Sequence, residues 1–415
     1  MLKRNMGGCC SSFWRQVSNF YFKFSFRTHV CNLPISVKQL SFKREDNPGV
    51  AAVKRKFSNI RKEPSADSAA TGGSINGKER KLGCKMLVLG PANAGKSTLI
   101  RNLRLIHDNA FTEDEILCTI ESIRSMTMEA LAELLKNAGV ADKSAKEQRQ
   151  DIYAFITRID ECIVMGALDF CIDRKLISQA LRISRDPLVQ EALISQETYK
   201  KQLQAQCAIR DENHSRLLSN IETTLSKDYY PSADDILATR KPTKGYNEIL
   251  IESEKFLITL VDVGGERSER KKWLSCFESV NAVLFVASMA EYDLYLPEDP
   301  DINQLIDSLR LFESICNLKW FTHTALLLFL NKKDIFSRKI QSIPLEVCFP
   351  EYDGPPRSYE NASIYIWQQF EKQCKLERCI YRHFTCAKDR RNISLVFASV
   401  TDNIQRQYVK DLGLT

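Results

Sequence analysis

The stretch from Lys85 to Ile100 constrains the fold of this chain more than any other. It begins with an apolar run from Met86 to Leu89, continues into the pattern Gly-x-x-x-x-Gly-Lys-Ser at residues 90–97, and ends in apolar positions at helical spacing. A strand, a glycine-rich turn and a helix in this order form a loop whose backbone N–H groups surround phosphates. Gly90 and Gly95 permit turns that a Cβ atom would hinder. The alternative interpretation is an ordinary strand-to-helix turn that happens to carry Lys-Ser.

Five side chains predict a nucleoside triphosphate bound together with magnesium. Lys96 can place its ammonium group on the β and γ phosphates, and the Ser97 hydroxyl can ligate Mg²⁺. Asp262 follows a predicted strand and can contact the metal through water, while Thr243 offers a second hydroxyl to the metal shell. Arg240 offers a guanidinium that neutralises charge in the transition state of phosphoryl transfer.

Later patterns predict that the base is guanine. Asn331-Lys332-Lys333-Asp334 follows an apolar run, and the Asp334 carboxylate can accept hydrogen bonds from guanine N1–H and its exocyclic amine. Thr385-Cys386-Ala387 follows the next run and can supply a backbone N–H to guanine O6. Gly264 and Gly265 let the backbone bend toward a γ-phosphate. Each pattern alone also occurs in solvated loops, but their order at the carboxyl ends of successive strands predicts one site.

The order of periodic segments predicts an α/β fold with an inserted helical domain. Residues from about 111 to 236 show helical spacing and no convincing strand. Apolar runs typical of buried parallel strands follow, separated by helical stretches at Gln304 to Cys316 and Ser363 to Glu371, before a last helix from Ile393 to Val409. The predicted strands are Met86 to Leu89, Glu248 to Ile251, Phe256 to Val261, Ala282 to Val286, Ala325 to Leu330 and Ile380 to Thr385. We expect a largely parallel sheet covered by helices on both faces.

Composition excludes several classes of protein. No run of 18 apolar residues occurs, so we expect no membrane span. The 14 cysteines form no Cys-x-x-Cys pair and no Cys/His cluster, which argues against a zinc site and a disulfide framework. Residues 1–85 carry 17 Lys and Arg against 5 Asp and Glu, a balance of +12, whereas the remainder carries 42 against 47. The basic arm favours an anionic membrane surface over nucleic acid as partner, and a merely solvated tail is the alternative.

A lipidation pattern lies near the start of the chain. If translation begins at Met6, Gly7 stands in a Met-Gly-x-x-x-Ser context suited to myristoylation, with Cys9 and Cys10 as palmitoylation sites. If translation begins at Met1, Gly7 is internal and cannot accept myristate. Residues 13–80 contain interrupting prolines and an aromatic cluster that suits a membrane interface or a strand equally well.

From about residue 82 onward the chain resembles the α subunits of heterotrimeric G proteins. The resemblance is densest at Asp262 to Trp273, Ser308 to Ile315, Phe329 to Asp334 and Thr385 to Ala387. It implies a Ras-like P-loop GTPase domain at 82–108 and 237–415 and a lid-like helical domain at 109–236, which leaves residues 1–81 as the basic arm. It also implies GDP/GTP with Mg²⁺, a βγ partner, exchange driven by a seven-helix receptor, an intracellular effector, and a location at the cytoplasmic face of the plasma membrane, or in the cytoplasm without lipid.

The resemblance assigns roles residue by residue. Arg240 stands where the family's arginine finger stands, Glu266 replaces its catalytic Gln, and Ser97 and Thr243 are the Mg²⁺ ligands. Glu212 and Asn213 are expected near the nucleotide by counting back from Arg240. Together with the patterns above, the nucleotide-binding positions are Gly90, Asn93, Ala94, Gly95, Lys96, Ser97, Thr98, Glu212, Asn213, Leu237, Ala238, Thr239, Arg240, Asp262, Gly264, Gly265, Asn331, Lys332, Lys333, Asp334, Cys386 and Ala387.

Departures from the family pattern shape the functional hypotheses. Residues 91–94 differ from the usual Ala-Gly-Glu-Ser, with Ala92 in place of Gly, and the long N-terminal helix that contacts βγ is not recognisable in residues 13–80. Leu412 stands where some members carry a toxin-modified Cys. The leading hypothesis is a membrane-attached GTPase switch that hydrolyses slowly because of Glu266 and Ala92. The alternatives are a GTP-binding module with negligible hydrolysis, and a P-loop ATPase or kinase, which Asn331 to Asp334 disfavours.

Overall fold

The computed structural model describes residues 82–107, 109, 111–138, 146–165, 172–202, 209–239, 243–252 and 256–411. All of them belong to the unit Arg44–Thr415. The basic arm, the lipidation residues Gly7, Cys9 and Cys10, the arginine Arg240 and the position Leu412 therefore lie outside the described residues. Predictions about them stay predictions.

Within the described residues, eight strands form one six-stranded sheet and one small hairpin. In the large sheet the order is β2-β3-β1-β4-β7-β8, every pairing is parallel except that of β2 with β3, and β5 pairs with β6 in the hairpin. The bounds are β1 Leu82–Leu89, β2 Tyr246–Glu252, β3 Phe256–Val263, β4 Ala282–Ser288, β5 Tyr295–Leu296, β6 Asp299–Asn303, β7 Ala325–Asn331 and β8 Ile380–Phe384.

The helices divide between an uninterrupted series before β2 and helices that alternate with the later strands. Their bounds are α1 Lys96–Ile106, α2 Glu113–Asn137, α3 Lys146–Val164, α4 Arg174–Ser184, α5 Pro187–Gln202, α6 Ile209–Ser219, α7 Ile221–Thr224, α8 Ala233–Ala238, α9 Gln304–Cys316, α10 Lys333–Lys339, α11 Tyr359–Gln373 and α12 Arg390–Asp411. Among the described residues, no helix combines the length and the apolar character that crossing a bilayer requires.

Both faces of the sheet are buried, which explains why its inner strands are continuous apolar runs. Successive side chains of a strand point to opposite faces. Leu87 and Leu89 of β1 accordingly pack with α9 and α11, while Met86 and Val88 pack with α1 and α12. Strands β4 and β7 alternate in the same way. A strand covered by helices on both sides is apolar at most positions, as strands of parallel sheets generally are.

The region between α1 and β2 contains only helices among its described residues. The long helix α2 begins with a capping box, in which Thr112 accepts from the Glu115 N–H and the Glu115 side chain accepts from the Thr112 N–H. Apolar residues of α2 pack against α3, α4 and α6. Arg124 of α2 is almost fully buried, and its guanidinium donates to the Thr224 and Ser226 carbonyls. The buried guanidinium thus has hydrogen-bond acceptors, and the two carbonyl oxygens have a donor.

The fold class predicted from the sequence is confirmed, with local differences. Strand β1 starts at Leu82 rather than Met86, because it pairs with β3 along its whole length, including the polar Lys85. The sequence patterns did not indicate the hairpin β5–β6, whose segments are short and polar, or the short helix α10. The helix predicted over Ser363 to Glu371 extends over Tyr359–Gln373. The predicted limits of the helical insert, 109–236, remain a prediction.

Candidate nucleotide site

The predicted site residues converge because parallel strands end at one edge of the sheet. The glycine-rich loop follows β1, Asp262 is the second-last residue of β3, Asn331 ends β7 and Thr385 follows β8. Strand β2 runs in the opposite direction, with Tyr246 opposite Val263. Its preceding residues therefore start at the same edge, and this brings Thr243 to Asp262.

Glycine is required at two turns of the loop. Gly90 has φ 143°, and a Cβ atom there would lie 2.1 Å from the Val286 carbonyl oxygen. Gly95 has φ 100°, and its Cβ would lie 2.2 Å from Nδ2 of Asn331. Gly95 also forms the N-terminal cap of α1, which has no side-chain cap hydrogen bond. The positive end of the helix dipole thus faces the loop, an arrangement that suits an anion.

Lys96 is a buried cation folded over this loop. Its side chain is 6% exposed, and Nζ donates to the carbonyl oxygens of Gly90 at 3.1 Å and Pro91 at 2.8 Å. Burial lowers the pKa of Lys96 from its ordinary value of 10.5 to about 8, although the Asp262 carboxylate acts in the opposite direction. A Cβ on Gly265 would lie 2.3 Å from Nζ, so this ammonium group needs glycine in the chain beside it.

Two hydroxyls and a carboxylate meet beside Lys96. Ser97 Oγ lies 2.8 Å from Thr243 Oγ1, and the two hydroxyls donate to Oδ2 of Asp262 at 3.1 and 3.2 Å. Asp262 is 4% exposed, and burial raises the pKa of its carboxyl while Lys96 opposes the rise. Its other oxygen, Oδ1, is buried with no hydrogen-bond partner among the described residues. An orphaned carboxylate oxygen at the meeting point of two hydroxyls fits the oxygen-rich shell of a magnesium ion.

Asn331 joins the phosphate loop, which follows β1, to the loop that follows β8. Its amide Nδ2 donates to the Ala94 carbonyl at 2.8 Å, and its Oδ1 accepts from the Ala387 N–H at 2.9 Å and from the Thr385 hydroxyl at 3.2 Å. The Cys386 N–H donates to Asn392 Oδ1 at 2.9 Å. The amide of Asn331 and the N–H groups of the loop that follows β8 are thus committed to the protein, so Asn331 positions both loops.

The residues after Asn331 include a lysine that is paired within the protein and an exposed carboxylate. Lys332 adopts a left-handed conformation with φ 61°, and its ammonium pairs with Glu291 at 2.6 Å. Asp334 is exposed in the first turn of α10. Burial raises the pKa of Cys386, and the neighbouring Asp334 carboxylate adds to the rise, so Asp334 faces the loop that follows β8. The base-recognition residues predicted from the sequence are therefore brought together.

Comparison with known proteins agrees with this geometry. A family model described as G-protein alpha subunit matches residues 55–404, well over half of the chain. The chain belongs to this family. Two curated relatives are the guanine nucleotide-binding protein G(o) subunits alpha of Planorbella trivolvis and of Lymnaea stagnalis, each 36% identical over 345 residues that cover 82% of this chain and 93% of the relative. The chain is accordingly a GTP-binding signalling switch of the heterotrimeric G-protein α class and a GTPase.

In this G-protein α subunit the helical region reaches the loop that follows β8. Asn213 of α6 is 5% exposed, and its Oδ1 accepts a hydrogen bond from Lys388 Nζ at 3.2 Å. The Glu212 side chain lies outside the described residues. The predicted residues Leu237, Ala238 and Thr239 are buried at the end of α8, where the Thr239 carbonyl accepts from Arg101 of α1. These contacts bring the helical region to both ends of the site.

The segment after β3 is held in place by its own Trp273 and by Asp307 of α9, a residue that the sequence patterns did not indicate. Trp273 Nε1 donates to the Gly264 carbonyl at 2.8 Å. Arg267 and Arg270 both pair with the Asp307 carboxylate of α9, at 2.9 and 3.0 Å. Glu266, which the sequence predicts to replace the family's catalytic Gln, is exposed. No local signal identifies Asp307, because its partners lie about 40 residues away, and only a contact across the fold reveals the pairing.

Protonation of Lys96 generates a prediction about pH. Because its pKa is about 8, we expect the affinity for GTP to fall as pH rises from 7 to 9.5, by about tenfold per unit at most above pH 8 for one proton. In the ligand-free chain, Lys96 binds more protons in the unfolded state than in the folded state between pH 8 and 10.5. Its contribution to the free energy of unfolding therefore rises as the pH increases from 8 to 10.5. Equilibrium binding of a fluorescent GTP analogue across this range measures the first effect.

A matched variant separates Lys96 from other titrating groups. Lys96→Met is expected to bind more weakly at pH 7 and to lose the decline above pH 8. An equal decline in Lys96→Met would contradict the assignment.

Proposed function

We propose that this α subunit is a slow, magnesium-dependent GTPase switch that couples a membrane receptor to an effector. The contact among Ser97, Thr243 and Asp262 beside Lys96 carries the proposal, since it places two hydroxyls, a carboxylate and a cation at the helix N-terminus. Each of these groups suits a part of a metal-bound triphosphate. The experiment that tests the slow switch is single-turnover GTP hydrolysis.

Ser97 and Thr243 are the residues proposed to hold Mg²⁺, with Asp262 behind them. The described residues contain no group of three His, Cys, Asp or Glu side chains that could hold a metal without further ligands. The phosphates of the nucleotide and water would therefore complete the shell, as is usual for magnesium. Bound there, the ion supplies positive charge that neutralises the phosphate oxygens. The chain's own contribution is to hold both hydroxyls within 2.8 Å of each other.

Guanine selectivity is assigned to Asp334. Its exposed carboxylate faces the loop that follows β8, and Asn331 fixes that loop to the phosphate loop. Guanine presents two adjacent donors to such a carboxylate, whereas adenine does not. Lys332, held by Glu291, supplies the neighbouring alkyl chain and charge.

Asp334→Asn tests this assignment. A carboxamide can donate to the carbonyl that xanthine carries in place of the exocyclic amine of guanine, so we expect the variant to prefer XTP over GTP. Each good bidentate base contact accounts for about 1–3 kcal/mol of discrimination, which is roughly 5- to 150-fold. Competition between GTP and XTP measures the ratio, with Asp402→Asn, an exposed position on α12, as the control. An unchanged ratio in Asp334→Asn would sink the assignment.

Slow hydrolysis is proposed from the chemistry of two positions. A Gln side chain can accept a hydrogen bond from the attacking water and donate toward the γ-phosphate, whereas Glu266 keeps only the acceptor and adds negative charge. Ala92 adds a methyl group to the phosphate loop, where the family pattern has Gly. Arg240 keeps its place in the sequence, so we propose reduced rather than abolished catalysis. A carboxylate is a better general base than an amide, which opposes part of this effect.

Glu266→Gln is expected to accelerate single-turnover hydrolysis. Loss of one preorganised transition-state donor costs on the order of 10²- to 10³-fold in related systems, so a gain of about 10²-fold is the expected scale. Ala92→Gly is expected to add a smaller gain. Glu278→Gln removes the same charge from an exposed position outside the site and serves as the control. If neither Glu266→Gln nor Ala92→Gly hydrolyses GTP faster than the natural chain, the slow-switch proposal fails.

The βγ dimer is the proposed partner of the segment after β3. Residues 267–278 match the family's βγ-facing switch in sequence. In the structure, Trp273 is buried and two arginines pair with Asp307, which supports an ordered docking segment. Because no N-terminal helix is recognisable in residues 13–80, we propose weaker βγ binding than two contact sites give.

Attachment to the cytoplasmic face of the plasma membrane is proposed to need acylation at Gly7 and at Cys9 or Cys10. One acyl chain holds weakly, and the basic arm supplies a second attraction to anionic lipid. We expect Gly7→Ala to release the protein to the soluble fraction when translation starts at Met6, while Cys31→Ser leaves it bound. Cell fractionation with mass spectrometry of the N-terminus measures both. Retained Met1 with unmodified Gly7 would exclude the myristate.

A further inference from the structure

Two cysteines from separate helices meet at the edge of the sheet opposite the nucleotide site. Cys316 is the last residue of α9 and is fully buried. Cys374 caps the C-terminus of α11 and is partly exposed. The two helices pack together against one face of the sheet, with Phe312 of α9 edge-on to Phe370 of α11. Cys316 therefore lies in the hydrophobic core, and Cys374 packs against this core from its edge.

The backbone around the two cysteines is fixed by a single amide side chain. Asn317 Nδ2 donates to the Gln373 carbonyl at 2.9 Å, and Asn317 Oδ1 accepts from the Lys375 N–H at 2.8 Å. The residue after Cys316 thus binds both neighbours of Cys374. The Cys316 sulfur itself lies 3.7 Å from the Gln373 carbonyl oxygen. This geometry places the Cys374 thiol within hydrogen-bonding reach of the Cys316 thiol.

Solvent exposure and the surrounding charges together decide which of the two thiols reacts first. Burial raises the pKa of Cys316 to about 12, and the adjacent Cys374 thiol adds to the rise, whereas the Arg378 guanidinium lowers it. Arg378 is anchored to the Phe321 and Thr324 carbonyls, and its charge acts on both sulfurs. Reactivity of a thiol follows exposure and thiolate character. The partly exposed Cys374 is therefore the thiol that meets a soluble oxidant.

We propose that Cys316 and Cys374 are a redox modification site that forms an intramolecular disulfide in response to peroxide. The Cys374 thiolate attacks one oxygen of hydrogen peroxide, the O–O bond breaks, and the leaving hydroxide takes a proton to form water. The buried Cys316 thiol then attacks the sulfur of the resulting sulfenic acid and gives its proton to the departing hydroxide, so that the S–S bond forms as a second water leaves. Each sulfur loses one electron, and one peroxide molecule accepts both.

The bond would tie the C-terminal ends of α9 and α11 covalently. A cross-link between distant parts of the chain restricts the unfolded state more than the folded one. Helix α9 also carries Asp307, which holds Arg267 and Arg270 of the segment after β3. The modification would therefore stabilise the helix on which that segment rests.

The test uses the full chain treated with hydrogen peroxide. Free thiols are blocked by alkylation, and the digest is searched by mass spectrometry for a peptide pair joined through Cys316 and Cys374. We expect this pair in treated protein, its loss on reduction with dithiothreitol, and a reversible rise in the midpoint of thermal unfolding. Cys374→Ser is expected to abolish the pair and the rise. Cys379→Ser removes the exposed thiol of the same loop and is expected to change neither.

Two results would overturn the proposal. One is a treated protein in which Cys316 and Cys374 are both recovered in alkylated form. The other is a disulfide that joins Cys374 to Cys379 and leaves Cys316 alkylated, since the buried thiol would then take no part.

Discussion

The side-chain amide of Asn331 is the interaction on which the geometry of the site depends. Its three hydrogen bonds join the carbonyl of the phosphate loop to the hydroxyl and N–H of the loop that follows β8. The two loops follow β1 and β8, which are separated in the sheet by β4 and β7, so no strand pairing fixes the loops to each other. Because Asn331 is the last residue of β7, its amide fixes the positions of both loops relative to the sheet. The closeness of Gly95 to this amide then explains why a side chain is excluded there.

The burial of charged groups is the second constraint on the site, and it destabilises the folded chain. Lys96 and Asp262 are both almost fully buried, and for each of them burial disfavours the charged form. Lys96 donates to two backbone carbonyls and Asp262 accepts from two hydroxyls, so neither has an oppositely charged hydrogen-bond partner among the described residues. Burying an ionised group without such a partner costs free energy, so these two residues lower the stability of the ligand-free chain. A ligand that brings phosphate charge to Lys96 and a cation to Asp262 would satisfy both groups and stabilise the fold through binding.

The sequence predicts the sheet well because burial on both faces leaves a simple pattern. The runs at Ala282 to Val286 and Ala325 to Leu330 are apolar at every position, and both are strands. The phosphate loop is likewise local, with all its residues within one short stretch. Strand β1 extends beyond its apolar run because the hydrogen-bond ladder with β3 does not depend on side-chain polarity. The hairpin of β5 and β6 has two short polar segments and leaves no periodic signal.

Contacts between distant residues are what the sequence could not supply. Asp307 sits in the first turn of a helix, where an acidic residue is ordinarily explained by the helix dipole. Only the fold shows that it receives two arginines from the segment after β3. Glu291 is similar, since nothing near it in the chain indicates a partner, yet it holds Lys332 at 2.6 Å. Motifs therefore identify the groups that suit a nucleotide. The residues that hold those groups in place are dispersed along the chain, and only the folded structure shows their contacts.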